Sequence, residues 1–216
     1  MDKIKFPRTA HLPWSVGIGG DDIIAAQSNV DNLLRNTVVV TEKLDGENTS
    51  VGRSFVHARS IDGRKSESLG FARTVAARFQ LQIPADMVLV FENLYAVHSI
   101  NYDCEPTLVL IAAYRQAKDG LLSVLSWLET VEWADNIGQR VAPVLLAGLA
   151  TPSTVQACYT GKSKLGGKQE GYVVRNTDAF PLDAYGENVF KWVRAGHVAP
   201  NATHWMNRTI IKQGKR

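Results

Sequence analysis

The sequence is poor in cysteine and contains no long apolar run, and both shortages limit what the chain can be. Cys104 and Cys158 are its only cysteines. Two are too few for a disulfide framework or a four-cysteine zinc site, so we expect ordinary buried thiols. No apolar run approaches the roughly 20 residues of a membrane span, and the first residues lack the apolar core of a secretory signal. We therefore expect an intracellular, cytoplasmic protein without membrane contact.

The remaining composition is that of an ordinary globular protein. Of the 216 residues, 45% are hydrophobic and 21% are charged, and the net charge is +3. So mild an excess neither requires nor excludes a nucleic-acid partner, because the placement of charge matters more than its total. Neither a repeat nor a low-complexity linker interrupts the chain. We therefore predict a single α+β domain over residues 1–216.

Apolar periodicity outlines the secondary structure. It predicts helices over 21–35, 68–81, 121–136 and 151–159. Apolar and β-branched runs predict strands at 37–43, 49–53, 55–60, 87–91, 107–114, 170–175 and 188–194. The first three strands follow one another so closely that we expect a local antiparallel meander rather than a β–α–β unit. We expect Asp21 or Asp22 to cap the first helix.

The stretch 41–48, which reads Thr-Glu-Lys-Leu-Asp-Gly-Glu-Asn, ends the first predicted strand. A lysine in this position must be paired or hydrated. In a partly desolvated site beside other cations, the pKa of Lys43 would fall and its neutral amine would be a nucleophile. Asp45-Gly46 predicts a tight turn in which glycine tolerates a positive φ. These residues alone nevertheless favour a surface hairpin with a solvated lysine.

Ionisable residues recur at the ends of the predicted strands. Charged side chains are seldom fully buried without a partner. Two carboxylates and three cations that converged on one cleft would neutralise one another and could bind a polyphosphate. The alternative is a set of unrelated surface charges. The five residues are Lys43, Arg59, Glu92, Glu170 and Lys191.

Four ordered motifs resemble those of the covalent nucleotidyltransferases, which include ATP-dependent ligases and mRNA capping enzymes. Within this group the chain looks most like the RNA ligases, from about residue 37 to residue 206. The resemblance implies a nucleotidyltransferase (ligase adenylylation) fold, with antiparallel sheets flanked by helices and an ATP cleft between them. The motifs are Lys43-Leu44-Asp45-Gly46 (motif I), Phe91-Glu92-Asn93-Leu94-Tyr95 (III), Glu170-Gly171-Tyr172-Val173-Val174-Arg175 (IV) and Phe190-Lys191-Trp192-Val193-Arg194 (V).

The resemblance also implies a role for each matching residue. Lys43 would attack the α-phosphate of ATP and carry AMP as a phosphoramidate. Glu170 would support the lysine and a Mg²⁺ or Mn²⁺ ion, Glu42 would read the adenine, and Glu92 would bind the ribose hydroxyls. The other implied ATP contacts are Asp45 and Gly46 in motif I, Asn48 near the AMP, Arg59 at the ribose and reacting ends, Arg175 at the phosphates and Lys191 at the α-phosphate.

Basic residues beside these motifs predict the path of an RNA strand. The expected RNA contacts are Arg59, Lys162, Lys164, Lys168 and Arg194, together with the basic C-terminal tail 208–216. Two features depart from the family pattern. Motif V has Val193 where a second lysine is usual, so its second cation is undecided. The strand 107–114 offers only Tyr114 to stack on adenine, and it lies late in the strand, so no stacking residue is assigned.

The leading functional interpretation is an ATP-dependent RNA ligase. It would join a 5′-phosphate to a 3′-hydroxyl through lysyl-AMP and an adenylylated 5′ end. One alternative is a DNA ligase or a capping-type nucleotidyltransferase, which usually carries an OB domain. The 22 residues after Arg194 are too few for such a domain. The other alternative is a catalytically silent nucleic-acid-binding relative. We expect a monomer that acts on RNA ends in RNA repair, with an end-healing kinase or phosphatase as a candidate partner.

Overall fold

The computed structural model describes residues 2–61, 66–196 and 210–214, which form two facing β-sheets with helices on their outer sides. The helices are α1 Gln27–Leu34, α2 Glu67–Ala76, α3 Trp127–Asn136, α4 Pro152–Gln156 and α5 Tyr185–Asn188, with short 3₁₀ turns at Gln80–Gln82 and Leu182–Ala184. The strands are β1 Ala10–His11, β2 Val38–Lys43, β3 Glu47–Gly52, β4 Phe55–Ala58, β5 Met87–Leu94, β6 Thr107–Gln116, β7 Leu122–Val124, β8 Arg140–Val141, β9 Val144–Gly148, β10 Gly171–Asn176, β11 Phe180–Pro181 and β12 Val189–Val193.

Both sheets are mainly antiparallel. Sheet A has the order β1-β12-β10-β2-β9, and sheet B has the order β11-β7-β6-β5-β3-β4 with β8 added beside β6. Only the short strands β1 and β8 pair in parallel within the described residues. The predicted α+β fold with antiparallel sheets flanked by helices is confirmed. No helix in the described part of the chain is long and apolar enough to cross a membrane.

Alternation along the strands divides the core into three layers. Val38 and Val40 of β2 face outward onto α1 and α4, in a layer that includes Val30 and Val155. Val88 and Val90 of β5 face the other sheet across the space between the two. Helices α2 and α3 cover the outer face of sheet B. Because successive side chains point to opposite faces, a polar residue on the inner face of either sheet enters the space between them.

The predicted meander is wrong at its first strand. Strand β2 pairs with β10 and β9 in sheet A, whereas β3 pairs with β4 and β5 in sheet B. The turn Leu44–Gly46 therefore carries the chain from one sheet to the other, which also excludes the surface hairpin. A strand with apolar residues on both faces, such as β2, is most stable between two other strands, here β10 and β9. Because the turn that follows β2 crosses to sheet B, the last residue of β2, Lys43, lies where the two sheets meet.

Two predicted helices begin later than their apolar pattern suggests. Helix α1 starts at Gln27, and Ile23 and Ile24 are extended and 54% exposed. Asp22 does not cap this helix but accepts a hydrogen bond from the backbone of Gly19. Residues 122–124 form β7, and α3 starts after Ser126, which forms a capping box with Glu129. The capping box marks the start of the helix locally, although the apolar residues before it also fit a helical spacing.

Candidate active site

A cavity of about 880 Å³ lies between the inner faces of the two sheets. Its wall includes residues of β2, β3, β5 and β12, which come from three distant parts of the sequence because β2 and β3 follow each other directly. Of the strand-end ionisable residues, Lys43, Arg59, Glu92 and Lys191 line the cavity. The fifth, Glu170, precedes β10 and contacts Lys43. The alternative of unrelated surface charges is therefore wrong.

Lys43 and Glu170 form the central ion pair of the cleft. The Lys43 Nζ lies 2.5 Å from Glu170 Oε1, and the side chains are 25% and 2% exposed. Burial by itself would lower the pKa of Lys43, but the carboxylates of Glu170, Glu92 and Asp45 outweigh it and raise this pKa. The expectation of a lowered pKa is wrong, because the nearest charges are carboxylates rather than cations. Lys43 is therefore an ammonium in this cleft, and it could act as a nucleophile only after losing a proton.

Glu92 lies opposite Asn48 on the neighbouring strand and points into the cavity. Its Oε1 accepts a hydrogen bond from the backbone N–H of Gly46 at 2.9 Å. Burial raises the pKa of Glu92 to about 8, and nearby Glu170 adds to the rise although Lys43 opposes it. A pKa this close to neutral leaves both forms of the group accessible. The charged form attracts Lys43, and the protonated form can donate as well as accept a hydrogen bond.

Asp45 and Gly46 shape the turn between the sheets, and Asp45 does not line the cavity. The Asp45 Oδ2 accepts hydrogen bonds from Ser99 N, Ser99 Oγ and Ile100 N at 2.7, 2.8 and 2.9 Å. This corrects the prediction that Asp45 contacts the cofactor, because its carboxylate is turned into the protein. Gly46 does not have the expected positive φ. Glycine is needed because a Cβ there would lie 2.6 Å from the carbonyl oxygen of Asn93.

The carboxylate of Glu42 binds a loop rather than presenting both oxygens to the cleft. Its Oε2 accepts the backbone N–H of Lys164 at 2.8 Å, and the residue is 2% exposed. Burial raises the pKa of Glu42, although hydrogen bonds from Ser163 and Lys164 oppose the rise. Its Oε1 has no hydrogen-bond partner among the described residues. That oxygen is the only one left to meet a ligand.

Lys191 belongs to a polar cluster that the sequence did not predict. Its Nζ lies 3.3 Å from Asp22 Oδ1, and His11 Nε2 lies 3.2 Å from the other oxygen of Asp22. His11 Nδ1 is 2.8 Å from Ser15 Oγ. Burial and the charge of Lys43 lower the pKa of Lys191, although Asp22 opposes this shift. Strand β1 brings His11 beside Lys191, and no local pattern reveals a pairing across so many residues.

Asn48 and Arg59 meet on the sheet B side of the cavity. The backbone N–H of Arg59 donates to Asn48 O at 2.9 Å, and the Arg59 Nε donates to Phe6 O at 3.3 Å. The Asn48 Oδ1 is buried and has no hydrogen-bond partner within the described segments. Arg8 also lines the cavity, a cation that the sequence analysis missed. Two arginines and an amide thus converge on one wall.

Arg175 lines the inner cavity, but its guanidinium is held by the protein itself. It is 4% exposed, and its Nη2 donates to Leu125 O at 2.6 Å. The group also lies 5.8 Å from the ring of Trp127 and 5.4 Å from that of Phe180. Burial lowers the pKa of Arg175 to about 10. These contacts argue against the predicted phosphate contact and for a role in joining the two sheets.

Strand β6 lines the cavity with aliphatic side chains, although the family pattern predicts an aromatic residue there to stack on adenine. Ile111 and Ala112 line the cavity, together with Val173 of β10. Tyr114 is 1% exposed and does not line it. The surface that strands β6 and β10 offer to a base is therefore aliphatic.

The predicted RNA-binding lysines lie outside this cavity, on a hairpin. Lys162 and Lys168 face each other across the hairpin, and the backbone of Lys164 is fixed by Glu42. Lys168 and Arg194 line a second, smaller cavity. Of the predicted RNA contacts that the structure describes, Arg59 alone lines the main cavity.

Part of the basic C-terminal tail is built into the protein. Gln213 is 3% exposed, and Lys212 pairs with Ala96 in an antiparallel bridge. The Lys212 Nζ lies 5.4 Å from the centre of the Tyr95 ring. Arg208, Lys215 and Arg216 lie outside the described residues. The described portion therefore packs against the protein and is not a free basic arm.

Metal ligands are sparse in the cleft. Across residues 2–61, 66–196 and 210–214, no group of three or more His, Cys, Asp or Glu side chains could hold a metal ion. Glu92, Glu170 and Asp45 are the carboxyl groups beside Lys43, and that of Asp45 is already bound by Ser99 and Ile100. This donor set suits Mg²⁺, which commonly binds through one or two carboxylates together with substrate phosphates and water.

A sequence model of the RNA ligase family matches residues 36–193, which include motifs I, III and IV and all of motif V except Arg194. The chain belongs to the RNA ligase family. No curated protein sequence matches this family member significantly.

Solved structures support the fold of this RNA ligase family chain. Naegleria gruberi RNA ligase with PPi superposes with a TM-score of 0.57 at 19% identity, covering 90% of this chain and 61% of that chain. A variant with ATP and Mn gives 0.56 at 17% identity, covering 91% and 63%. A variant with AMP and Mn gives 0.55 at 18% identity, covering 86% and 59%. The chain therefore spans about three fifths of the length of these structures.

Proposed function

We propose that this protein is an ATP-dependent RNA ligase that uses Lys43 as its nucleophile. The observation that carries the proposal is the Lys43–Glu170 pair in the cleft, with Glu92 and Lys191 beside it. Family membership supports RNA ligation, and the Naegleria structures with ATP, AMP and Mn support the choice of ATP and a divalent metal.

In the first step, Lys43 loses a proton and its Nζ forms a bond to the α-phosphorus of ATP. The bond from that phosphorus to the bridging oxygen breaks, and pyrophosphate leaves with the electron pair. Glu170 Oε1, 2.5 Å from Nζ, is the nearest acceptor for the proton. Lys191, whose ammonium reaches the same cavity, would offset the negative charge that develops on the α-phosphate.

The cavity wall suggests how the rest of the nucleotide is held. Glu92 would meet the ribose hydroxyls, since its protonated carboxyl can both donate and accept. The adenine would lie between Ile111 and Val173, where burial of apolar surface replaces an aromatic stack. Glu42 would accept a hydrogen bond from the nucleotide through its Oε1. Gly46, which has no Cβ, would let the nucleotide come close to the backbone. The amide N–H of Asn48 would donate a hydrogen bond to the reacting phosphates.

A protein carboxylate and the nucleotide would bind the metal ion together. Glu170 is the residue we propose for Mg²⁺ or Mn²⁺, with the phosphates of ATP supplying further oxygen ligands. A bound divalent ion neutralises phosphate charge and polarises the phosphorus–oxygen bonds. Arg59 and Arg8 add positive charge on the opposite wall.

Two further transfers complete the proposed reaction. A 5′-phosphate oxygen of RNA attacks the lysyl-AMP phosphorus, which breaks the P–N bond and forms a 5′–5′ pyrophosphate linkage. A 3′-hydroxyl then attacks the RNA phosphate, releasing AMP and a proton. Arg59, Lys162, Lys164, Lys168 and Arg194 are the proposed RNA contacts. Such a reaction suits RNA repair, and ends that lack a 5′-phosphate would need a separate kinase first.

Incubation with labelled ATP and Mg²⁺ tests the function. A covalent labelled band that acid removes is expected, because a P–N bond is acid-labile. Labelling by GTP instead of ATP would support a capping-type enzyme, and absence of label would support a silent binding protein. Competition among RNA and DNA nicks and single strands then distinguishes RNA ligase from DNA ligase.

A further inference from the structure

A second cavity, of about 560 Å³, lies outside the proposed active site. Strand β12 separates the two, because Lys191 lines the main cavity and the next residue, Trp192, lines the second. Successive residues of a strand point to opposite faces, so the second cavity opens on the outer face of sheet A. Tyr159, Lys168 and Arg194 also line it.

Two aromatic rings form a fixed corner of this cavity. The rings of Tyr159 and Trp192 are 4.5 Å apart between centroids and inclined by 49°. The Trp192 ring also stacks on Tyr172, with an interplanar angle of 7°, and its Nε1 donates to Trp14 O at 2.9 Å. The contacts with Tyr172 and Trp14 hold Trp192 in place, while Tyr159 remains half-buried at the cavity. The corner offers a rigid apolar surface to a flat ligand.

The cavity is positively charged and its cations are held on ordered backbone. Lys168 lies on the hairpin anchored by Gln169, whose side chain accepts from Thr160 N and donates to Cys158 O. The Arg194 Nε is buried and has no hydrogen-bond partner among the residues that the structure describes. No described acidic residue lines this cavity. Cations without carboxylates, beside aromatic rings, favour a ligand that is both flat and anionic.

We propose that this cavity binds one nucleotide of the RNA strand, away from the ends that react. The base packs against Tyr159 and Trp192, and a flanking phosphate contacts Lys168 and Arg194. This rests on the proposed ligase function, which supplies RNA as the substrate. Stacking on aromatics with nearby cations is a general means of holding single-stranded nucleic acid without reading its sequence.

The path from the active site to this cavity is short. The backbone N–H of Arg194 donates to Glu170 O at 3.1 Å, and Glu170 also holds Lys43. Both cavities thus open near the same end of β2, β10 and β12. An RNA strand that leaves Lys43 and passes over this edge of sheet A reaches Tyr159 on the other side.

RNA-binding measurements on four variants test the site in the full chain. Anisotropy of a short fluorescein-labelled single-stranded RNA should report roughly tenfold weaker binding for Tyr159→Leu, since stacking on one ring is lost. Tyr159→Phe, which keeps the ring, should bind as the wild type does. Lys168→Gln should weaken binding and reduce the salt dependence by about one phosphate contact. Lys118→Gln, at an exposed turn, is the matched control.

An RNA series with one abasic position moved along the strand locates the bound nucleotide. At one position, loss of the base should weaken binding to the wild type but not to Tyr159→Leu. Equal effects in both proteins at every position would overturn the proposal. So would unchanged RNA affinity in Tyr159→Leu, or loss of Lys43 labelling by ATP in that variant, which would make Tyr159 structural. If the proposed ligase function is itself wrong, the wild-type protein will not become labelled by ATP, which distinguishes that outcome from failure of the cavity proposal.

Discussion

The side-chain oxygen of Gln213 accepts a hydrogen bond from the backbone N–H of Tyr102 at 2.8 Å. The Gln213 Nε2 donates to Ile100 O at 3.0 Å. Tyr102 in turn accepts the backbone N–H of Asp45 through its hydroxyl at 2.8 Å, and the N–H of Ile100 binds the Asp45 carboxylate. The C-terminal segment is therefore connected through two residues to the turn that follows Lys43.

Gln213→Ala should destabilise the protein and slow AMP transfer to Lys43. The substitution leaves the buried N–H of Tyr102 and C=O of Ile100 unpaired, which should lower the free energy of unfolding by about 1–3 kcal/mol. Urea unfolding and labelling with ATP measure the two effects. Gln82→Ala, at an exposed glutamine, is the control and should change neither.

Deletion of residues 208–216 should impair adenylylation as well as RNA sealing. A tail used only for RNA would weaken sealing while sparing adenylylation, but removal of Gln213 frees the loop that orients Asp45. Labelling of the shortened chain at the wild-type rate would contradict this connection and would indicate that the tail serves only RNA sealing.

Lys43→Ala should abolish covalent AMP transfer. No other described lysine lies beside both Glu92 and Glu170 at motif I, so no second amine should replace it. Mass spectrometry should show the addition of one AMP to the wild type after ATP treatment and none to the variant. Lys118→Ala should label normally, and an adenylylated Lys43→Ala protein would refute the assignment.

Glu170→Ala and Glu92→Ala should each slow adenylylation far more than a surface substitution does. Each removes a carboxyl group that contacts either the nucleophile or the turn beside it, and such a loss costs on the order of 10²–10³ in rate. Single-turnover labelling measures the effect, with exposed Glu187→Ala as the control. Near-normal rates in both variants would remove the two glutamates from the proposed mechanism.

The raised pKa of Glu92 predicts a pH dependence of stability. The folded protein keeps this proton up to about pH 8, whereas the unfolded chain releases it near 4.5. Stability should therefore fall as pH rises between these values, by at most about 1.4 kcal/mol per pH unit from this one group. Glu92→Gln should lack this contribution. Unfolding free energies of both proteins from pH 5 to about pH 8 test it, and parallel curves would exclude the shift.

Joint replacement of Lys162, Lys164 and Lys168 by glutamine should weaken RNA sealing and spare adenylylation. The three side chains lie on the hairpin outside the main cavity, so the ATP step does not use them. RNA affinity should also depend less steeply on salt, because fewer counterions are released. Equal loss of labelling and sealing would instead make the hairpin structural.

The sequence by itself determined the chemistry of the strand ends and most of the strands. The β-branched run before Lys43 and the apolar runs before Glu92 and around Lys191 are local patterns, and strand propensity acts locally. The motifs in these runs identified the family before any contact was known. Local patterns also place Pro152 at the start of α4, where the structure has it.

Only the tertiary structure decided which charges meet and which way each side chain points. Glu42 and Lys43 are neighbours on β2 and both line the cleft, yet Lys43 pairs with Glu170 whereas one oxygen of Glu42 binds the backbone of Lys164. Asp22 and Lys191 are far apart in sequence and meet only through the β1–β12 pairing. The pKa of Lys43 rises mainly because of Glu170 and Glu92, which are distant in sequence, since electrostatic interaction depends on distance in space rather than along the chain.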